Sequence, residues 1–427
     1  MTTTPERPAN RWWIAAMGTA LQLCLGTVYA WSFFQKPLVE TYGWSHTEVA
    51  WVFSLAICFL GLAAAWGGLL LPRLGPRRLA VTGGLLFGAG YLLAALALRL
   101  KSLPLLYLGY GAVGGAGLGL GYVTPVATVA KWFPDKKGFA TGLVVMGFGL
   151  GALLMSKVLA PLLLARTHGD LVAAFGWMGV LFSVATVAAA GFLRNPPAGF
   201  VPAGHTPPAA PAAPGAAGAA AYDAAGQALL SGRFWVMWLI FFCNIVAGIS
   251  IVGFQSPLLQ DLWKRVNPEL PAAVLAGYGA TLIGVSSLFN GVGRFFWGGL
   301  SDRLGRLPAF RLMLGTQLAV FALLALTATP WVFGALVCYV LLCYGGGFGT
   351  MPSFVLDVFG ARLMPAVYGA ILTAWSAGGL AGPQIVAYLK DHAGDRAAPY
   401  SFAAGAAFLA GGFVLSWFLR EPARPQR

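Results

Sequence analysis

Acidic residues are scarce in this chain. Only 13 Asp and Glu occur in 427 residues, and charged residues of both signs make up 9%. A soluble domain carries roughly a quarter. No acid stands in the middle of a long apolar run, since Glu48, Asp261, Asp302 and Asp357 all fall near run ends. This argues against a carboxylate proton relay at membrane depth and against a buried site for a cation. The five Cys (24, 58, 243, 338 and 343) all lie in apolar runs, without CxxC or Cys/His spacing. They read as packing residues, and neither a metal nor a cofactor is expected. No Gly-Lys-Ser/Thr sequence follows the glycine runs 114–121 and 345–349, so these permit close helix packing and not phosphate binding. The four His (46, 168, 205 and 392) fall outside the apolar runs or at their edges and read as solvated. No segment alternates polar and apolar residues as a barrel strand does.

Long apolar runs are what the chain has in plenty. Hydrophobic residues make up 58% and mean hydropathy is +0.76. Runs of roughly 20 apolar residues each fit a helix across a bilayer. Twelve are expected, at 12–34, 47–71, 77–98, 103–126, 138–164, 170–193, 233–260, 274–300, 308–328, 331–355, 366–389 and 399–420. The fold class is therefore an all-α membrane protein. The first run is too long for the core of a signal peptide and is itself expected to span.

Basic residues divide unevenly between the two ends of these spans. An even number of spans puts both termini on one side. That side holds 17 of the 27 Lys and Arg, among them Arg11, Arg73, Arg77, Arg78, Lys131, Arg194, Arg303 and Arg306. The excess predicts cytoplasmic termini in a cell inner membrane. The net charge of +14 reflects this asymmetry and favours anionic lipid. Nucleic acid is not an expected partner, because the charges are scattered over short loops.

One motif occurs twice. Residues 68–78 read GLLLPRLGPRR and residues 299–306 read GLSDRLGR, with Arg73 and Arg303 lying 230 residues apart. Each copy joins two apolar runs. A repeat at half the chain length predicts two related bundles with a site between them, the arrangement of a transporter. The expected domains are a six-helix bundle at 1–194, a linker rich in Pro, Ala and Gly at 195–230, and a second six-helix bundle at 231–427. Such a linker cannot bury a core.

The whole pattern resembles the major facilitator superfamily. GGLSDRLGR is close to that superfamily's loop signature, while the first copy departs from it, with Pro72 at the acidic position and Pro76 at a basic one. The resemblance implies that Arg73, Asp302, Arg303 and Arg306 help to latch one face during conformational change. Tight turns that only set topology are the alternative. Four segments narrow the resemblance: Gly26–Ser32 (GTVYAWS) with Pro37; Gly119–Tyr122 (GLGY) through Lys131–Gly138 (KWFPDKKG); Gly345–Phe354 (GGGFGTMPSF); and Tyr368–Trp375 (YGAILTAW). Together they resemble the oxalate/formate antiporter family, whose members move small carboxylates.

Arg294 is the residue on which a function turns. It lies within the eighth run, about two helical turns from Asp302. A guanidinium stays charged at any working pH, and burying it costs at least about 2.5–3.5 kcal/mol. No acid is expected at its depth, so a carboxylate substrate could supply the counter-charge through paired hydrogen bonds. Snorkelling to the interface or binding backbone carbonyls is the alternative. The resemblance implies the substrate role. Asn290 stands one turn earlier on the same face and could orient Arg294 or bind substrate. Tyr29, Tyr122, Tyr344, Phe348 and Trp375 lie on runs that line the central cavity in that superfamily. They could shape a site, or form interfacial belts and ordinary packing.

The oxalate-exchanging members of the resembled family carry a second cation, a Lys, in span eleven, and that position reads as Trp375 here. Lys157, in run five, either restores the second charge or snorkels outward. One buried cation suits a monocarboxylate such as lactate, pyruvate or formate. The expected function is alternating-access transport of a small organic anion, by symport with protons or by exchange, in a monomer. The alternative is an exporter of an unrelated substrate such as a drug. No nucleophile–base set or appended domain suggests an enzyme.

Overall fold

The computed structural model describes residues 10–133, 137–197, 200–202 and 225–419. Among them run twelve long helices: α1 Arg11–Tyr42, α2 His46–Leu74, α3 Pro76–Arg99, α4 Leu103–Trp132, α5 Gly142–Arg166, α6 Leu171–Ala190, α7 Gly232–Val266, α8 Ala272–Leu304, α9 Arg306–Leu326, α10 Pro330–Gly360, α11 Thr373–His392 and α12 Ala397–Leu415. No strand occurs among the described residues. Eleven of the helices are long and apolar enough to cross a membrane by length and composition. The exception is α11, which carries Ser376, Gln384, Lys390, Asp391 and His392.

The expected spans match these helices in number and order, but most helices outrun them. Apolar runs stop where polar residues begin, whereas a helix continues until its backbone is capped. The α2 helix starts in a capping box, in which the Ser45 side chain accepts from Glu48 N–H and Glu48 accepts from Ser45 N–H. Span eleven departs most. Helix continues through 361–371 after a break at Gly360 (φ 77°, ψ 165°) and breaks again at Leu372 before α11. A φ of that sign is open to Gly and strained for other residues. Most of the expected linker, 203–224, lies outside the described residues, but its final part is a short helix, Ala225–Leu230. Lys136, Arg7, Arg420, Arg424 and Arg427 also lie outside them.

Within the first half α3 packs on α6, α2 on α4 and α1 on α5; within the second, α8 packs on α10, α7 on α11 and α9 on α12. The halves meet chiefly along α2 with α11 and α5 with α8. At the α5–α8 seam the Ser287 hydroxyl donates to Gly149 O and accepts from Leu153 N–H at 3.2 Å. Those two α5 groups stand four residues apart, the spacing of partners in a regular helix. A π-helical stretch, Met155–Leu159, follows at once.

On the face away from the described ends of the chain, Asp391 of α11 bridges the halves. Its carboxylate accepts from the N–H groups of His46 (3.0 Å) and Thr47 (2.8 Å), at the start of α2. The first N–H groups of a helix have no partner inside it, and a carboxylate there also meets the positive end of the helix dipole. Lys390 pairs with Asp261 of α7 at 2.6 Å beside it. Asp391→Ala should therefore lower stability by about 1 kcal/mol, the usual worth of an N-terminal cap. The melting temperature of the detergent-purified protein reads this; no change would mean that this clasp contributes nothing.

Candidate functional site

Glycine decides where Arg294 sits. The missing side chain of Gly349 in α10 faces the backbone of Arg294 in α8, and that of Gly345 faces the backbone of Asn290. On the other side Gly149 of α5 faces Gly291 at 2.9 Å from where its Cβ would be. Small residues at four-residue spacing let helix backbones approach closely in a bilayer. The α8 helix is thereby held between α10 and α5, and Arg294 is buried to 3% exposure.

Around Arg294 the two halves contribute aromatic rings. Tyr29 (α1), Tyr122 (α4) and Phe148 (α5) come from the first half; Tyr344 and Phe348 (α10) and Trp375 (α11) come from the second. All six are at most 3% exposed. Trp375 is the hub. Its ring centroid lies 4.6 Å from that of Phe348, 5.3 Å from Tyr122, 5.9 Å from Phe148 and 6.3 Å from Tyr29. The hydroxyls of Tyr29 and Tyr344 hydrogen-bond at 2.7 Å across the halves. The Arg294 guanidinium lies over the Phe348 ring, 5.3 Å from its centroid, a cation–π contact. It is also within electrostatic reach of the hydroxyls of Tyr29, Tyr122, Tyr344 and Tyr368.

The guanidinium has no well-formed hydrogen bond, and the Tyr122 hydroxyl is the nearest candidate for a loose one. Among the described residues none partners Nε or either terminal nitrogen of Arg294. Neither snorkelling nor carbonyl capping accounts for it, since it is buried and makes no such bond. Buried donors without acceptors cost about 1–3 kcal/mol each, and more when charged. The arrangement can receive an anion with an oxygen pair, between two aromatic half-walls.

The expected residues Arg294, Tyr29, Tyr122, Tyr344, Phe348 and Trp375 are thus brought together, while others are not. Asn290 is one turn from Arg294 but does not orient it, for its Oδ1 also lacks a partner and lies 2.7 Å from the point where a Gly345 Cβ would stand. It is pressed on α10 by the close helix approach. Lys157 is exposed and donates to Thr281 of α8 at 2.6 Å, away from the rings. Its amine reaches a polar partner at the protein surface, so it adds no second cation to the site. Asp302 meets an Arg within its own half: Arg306 bonds Asp302 (2.6 Å), Asp357 (2.9 Å) and Ser301 (2.6 Å), tying α8, α9 and α10 together. Arg303 and Arg73 lie exposed near the same face.

Phe148 was missed by sequence reasoning, although a large ring between Gly147 and Gly149 in an apolar run is a usable signal. Asp357 drew notice only as an acid near a helix end. Its partnership with Arg306 links residues 51 apart and has no local sequence sign.

Eleven helices long and apolar enough to cross a membrane, with a buried guanidinium among aromatic rings, fit a multi-pass membrane transporter. The chain matches the model of the Major Facilitator Superfamily over residues 15–383 and belongs to that superfamily. It is a transporter and not an enzyme. It is 28% identical over 418 residues to the oxalate:formate antiporter of Oxalobacter formigenes, covering 96% of this chain and 91% of that one. It is 28% identical to apicoplast pyruvate carrier 1 of Toxoplasma gondii, with 76% and 66% covered. Monocarboxylate transporter 11 of Homo sapiens is 27% identical, with 97% and 84% covered. A crystal structure of a bacterial homolog of the human lysosomal transporter Spinster, inward-facing and unoccupied, shares the fold at TM-score 0.67 and 15% identity, over 96% of each chain.

Gly349→Ala adds a methyl where the Arg294 backbone already lies. Overpacking of this kind costs about 1–3 kcal/mol, so the melting temperature should fall. Gly411→Ala, with no atom within 4 Å of the new methyl, should leave it unchanged or raise it.

Proposed function

We propose that this chain is an alternating-access carrier of small carboxylates, and that its substrate is a monocarboxylate such as lactate, pyruvate or formate. The observation that carries this reading is Arg294, a permanent cation buried among rings with no hydrogen-bond partner among the described residues. A carboxylate offers two oxygens to a guanidinium in a bidentate pair. The tyrosine hydroxyls nearby supply further donors, and the rings exclude bulky substrates. The named activities of the relatives, oxalate:formate exchange, pyruvate carriage and monocarboxylate transport, support the same class.

Charge count favours one carboxylate over two. Trp375 occupies the hub of the site, and Lys157 is engaged outside it. A dicarboxylate would bring a second charge that, among the described residues, no further cation beside Arg294 meets. In this reading two bundles, 1–194 and 231–427, rock about the site. Each opens it in turn, the Tyr29–Tyr344 bond forming and parting between them. Coupling is either to a proton carried with the substrate or to a counter-anion. The termini face the cytoplasm of a bacterial-type inner membrane, in keeping with the basic residues on that face.

Uptake of labelled formate, lactate, pyruvate and oxalate into proteoliposomes tests this. A substrate driven only by an inward proton gradient marks symport; one driven only by internal carboxylate marks exchange. Uptake of none of the four removes the carboxylate reading. Arg294→Gln should fold with an unchanged elution profile and lose transport, and normal uptake by it would sink the assignment. Lys157→Gln should retain uptake. Trp375→Lys, which supplies a second cation, should shift binding from formate toward oxalate, measured as relative thermal stabilisation by the two anions.

A further inference from the structure

The two copies of the loop motif differ in how their arginines are neutralised. In the second half Arg306 is held by Asp302 and Asp357. In the first, Pro72 stands where Asp302 stands in the other copy. Among the described residues no carboxylate pairs with Arg77, Arg78 or Arg194. The described acids of the first half, Glu40, Glu48 and Asp170, lie at the other ends of the helices.

These three arginines line one cavity of about 610 Å³. Its walls are the α2–α3 turn at Leu74–Pro76, the chain leaving α6 at Gly191–Asn195, and the start of α1 at Asn10 and Trp13. The first turn of α3 borders it and has no side-chain cap, so backbone donors and the positive end of the helix dipole add to the arginines there. One rim is apolar. Trp13 and Phe192 pack edge to face at 5.8 Å and remain 51% and 47% exposed. Exposed Trp at the end of a membrane helix belongs to the bilayer interface.

We propose that this cavity binds the headgroup of an anionic phospholipid. The phosphate takes donors from Arg77, Arg78 and Arg194 and from the α3 N-terminus. The acyl chains leave over Trp13 and Phe192. A basic cavity between helix ends suits a lipid phosphate, as guanidinium forks do. The exposed aromatic rim selects a lipid over a soluble phosphate, because a free ion gains nothing from it. The second half offers no counterpart of this arrangement at Arg306, whose charge Asp302 and Asp357 already meet.

The test uses the full chain purified in detergent. Thermal unfolding and native mass spectrometry are followed with added phosphatidylglycerol, phosphatidylcholine or inorganic phosphate. Phosphatidylglycerol should stabilise and be retained more than phosphatidylcholine, and inorganic phosphate should do neither. Each arginine changed to Gln should weaken retention about fivefold, the worth of about 1 kcal/mol per basic residue near an anionic headgroup. Arg77→Gln/Arg78→Gln/Arg194→Gln should abolish the preference. Lys36→Gln/Arg265→Gln, on the opposite face, should keep it. If the triple variant does not fold, Arg194→Gln alone is read by the number of lipids retained. Equal retention of the two lipids, an undiminished preference in the Arg variants, or an equal effect of inorganic phosphate would each overturn the proposal.

Discussion

A charge that cannot be titrated away is buried where no described residue gives it a well-formed hydrogen bond, and the packing around it is built on that. Desolvating a guanidinium is costly, and leaving its donors unpaired adds to the cost. The close-packed Gly149, Gly345 and Gly349 contacts hold Arg294 there, and the Phe348 ring gives partial electrostatic relief. In the proposed function the sign of the site selects an anion over a cation, and its aromatic walls a small anion over a large one.

The site is shared by the two halves, so any motion of one against the other changes it. Three rings come from each half, and the Tyr29–Tyr344 hydrogen bond crosses between them. The same division recurs along the seams. Ser287 of α8 bonds two backbone groups of α5 close to Gly149, which itself packs against Gly291. Asp391 of α11 caps the start of α2 at one face. Side chains of one half therefore satisfy backbone groups of the other.

Electrostatics at the membrane ends follows a second logic. In the Arg306 cluster the Arg charge is met by Asp302 and Asp357 within its own half, and the three residues tie α8, α9 and α10. Its counterpart in the first half is short of acids and lines a cavity open beside exposed Trp13 and Phe192. Two positions of the repeat separate the copies: Pro72 stands for Asp302 and Pro76 for Arg306. Repeated sequence produced a repeated turn, while among the described residues only the second copy holds an Arg between two carboxylates.

Sequence alone determined the helical membrane class, the twelve runs and the special standing of Arg294. Apolar length is a one-dimensional property, and an arginine in such a run is costly wherever it points. The resemblance to the superfamily also picked out Tyr29, Tyr122, Tyr344, Phe348 and Trp375, because they stand on runs that line the central cavity there. Tertiary structure alone decided which side chains meet. Asn290 shares a helix face with Arg294 yet is pressed on Gly345; Lys157 turns out to Thr281; Phe148 turns in; and Asp391 reaches across 345 residues to the N–H of His46. Helix periodicity states which residues share a face, but the rotation and depth of each helix come from the small residues that its neighbours present. Those contacts exist only once all the helices are packed.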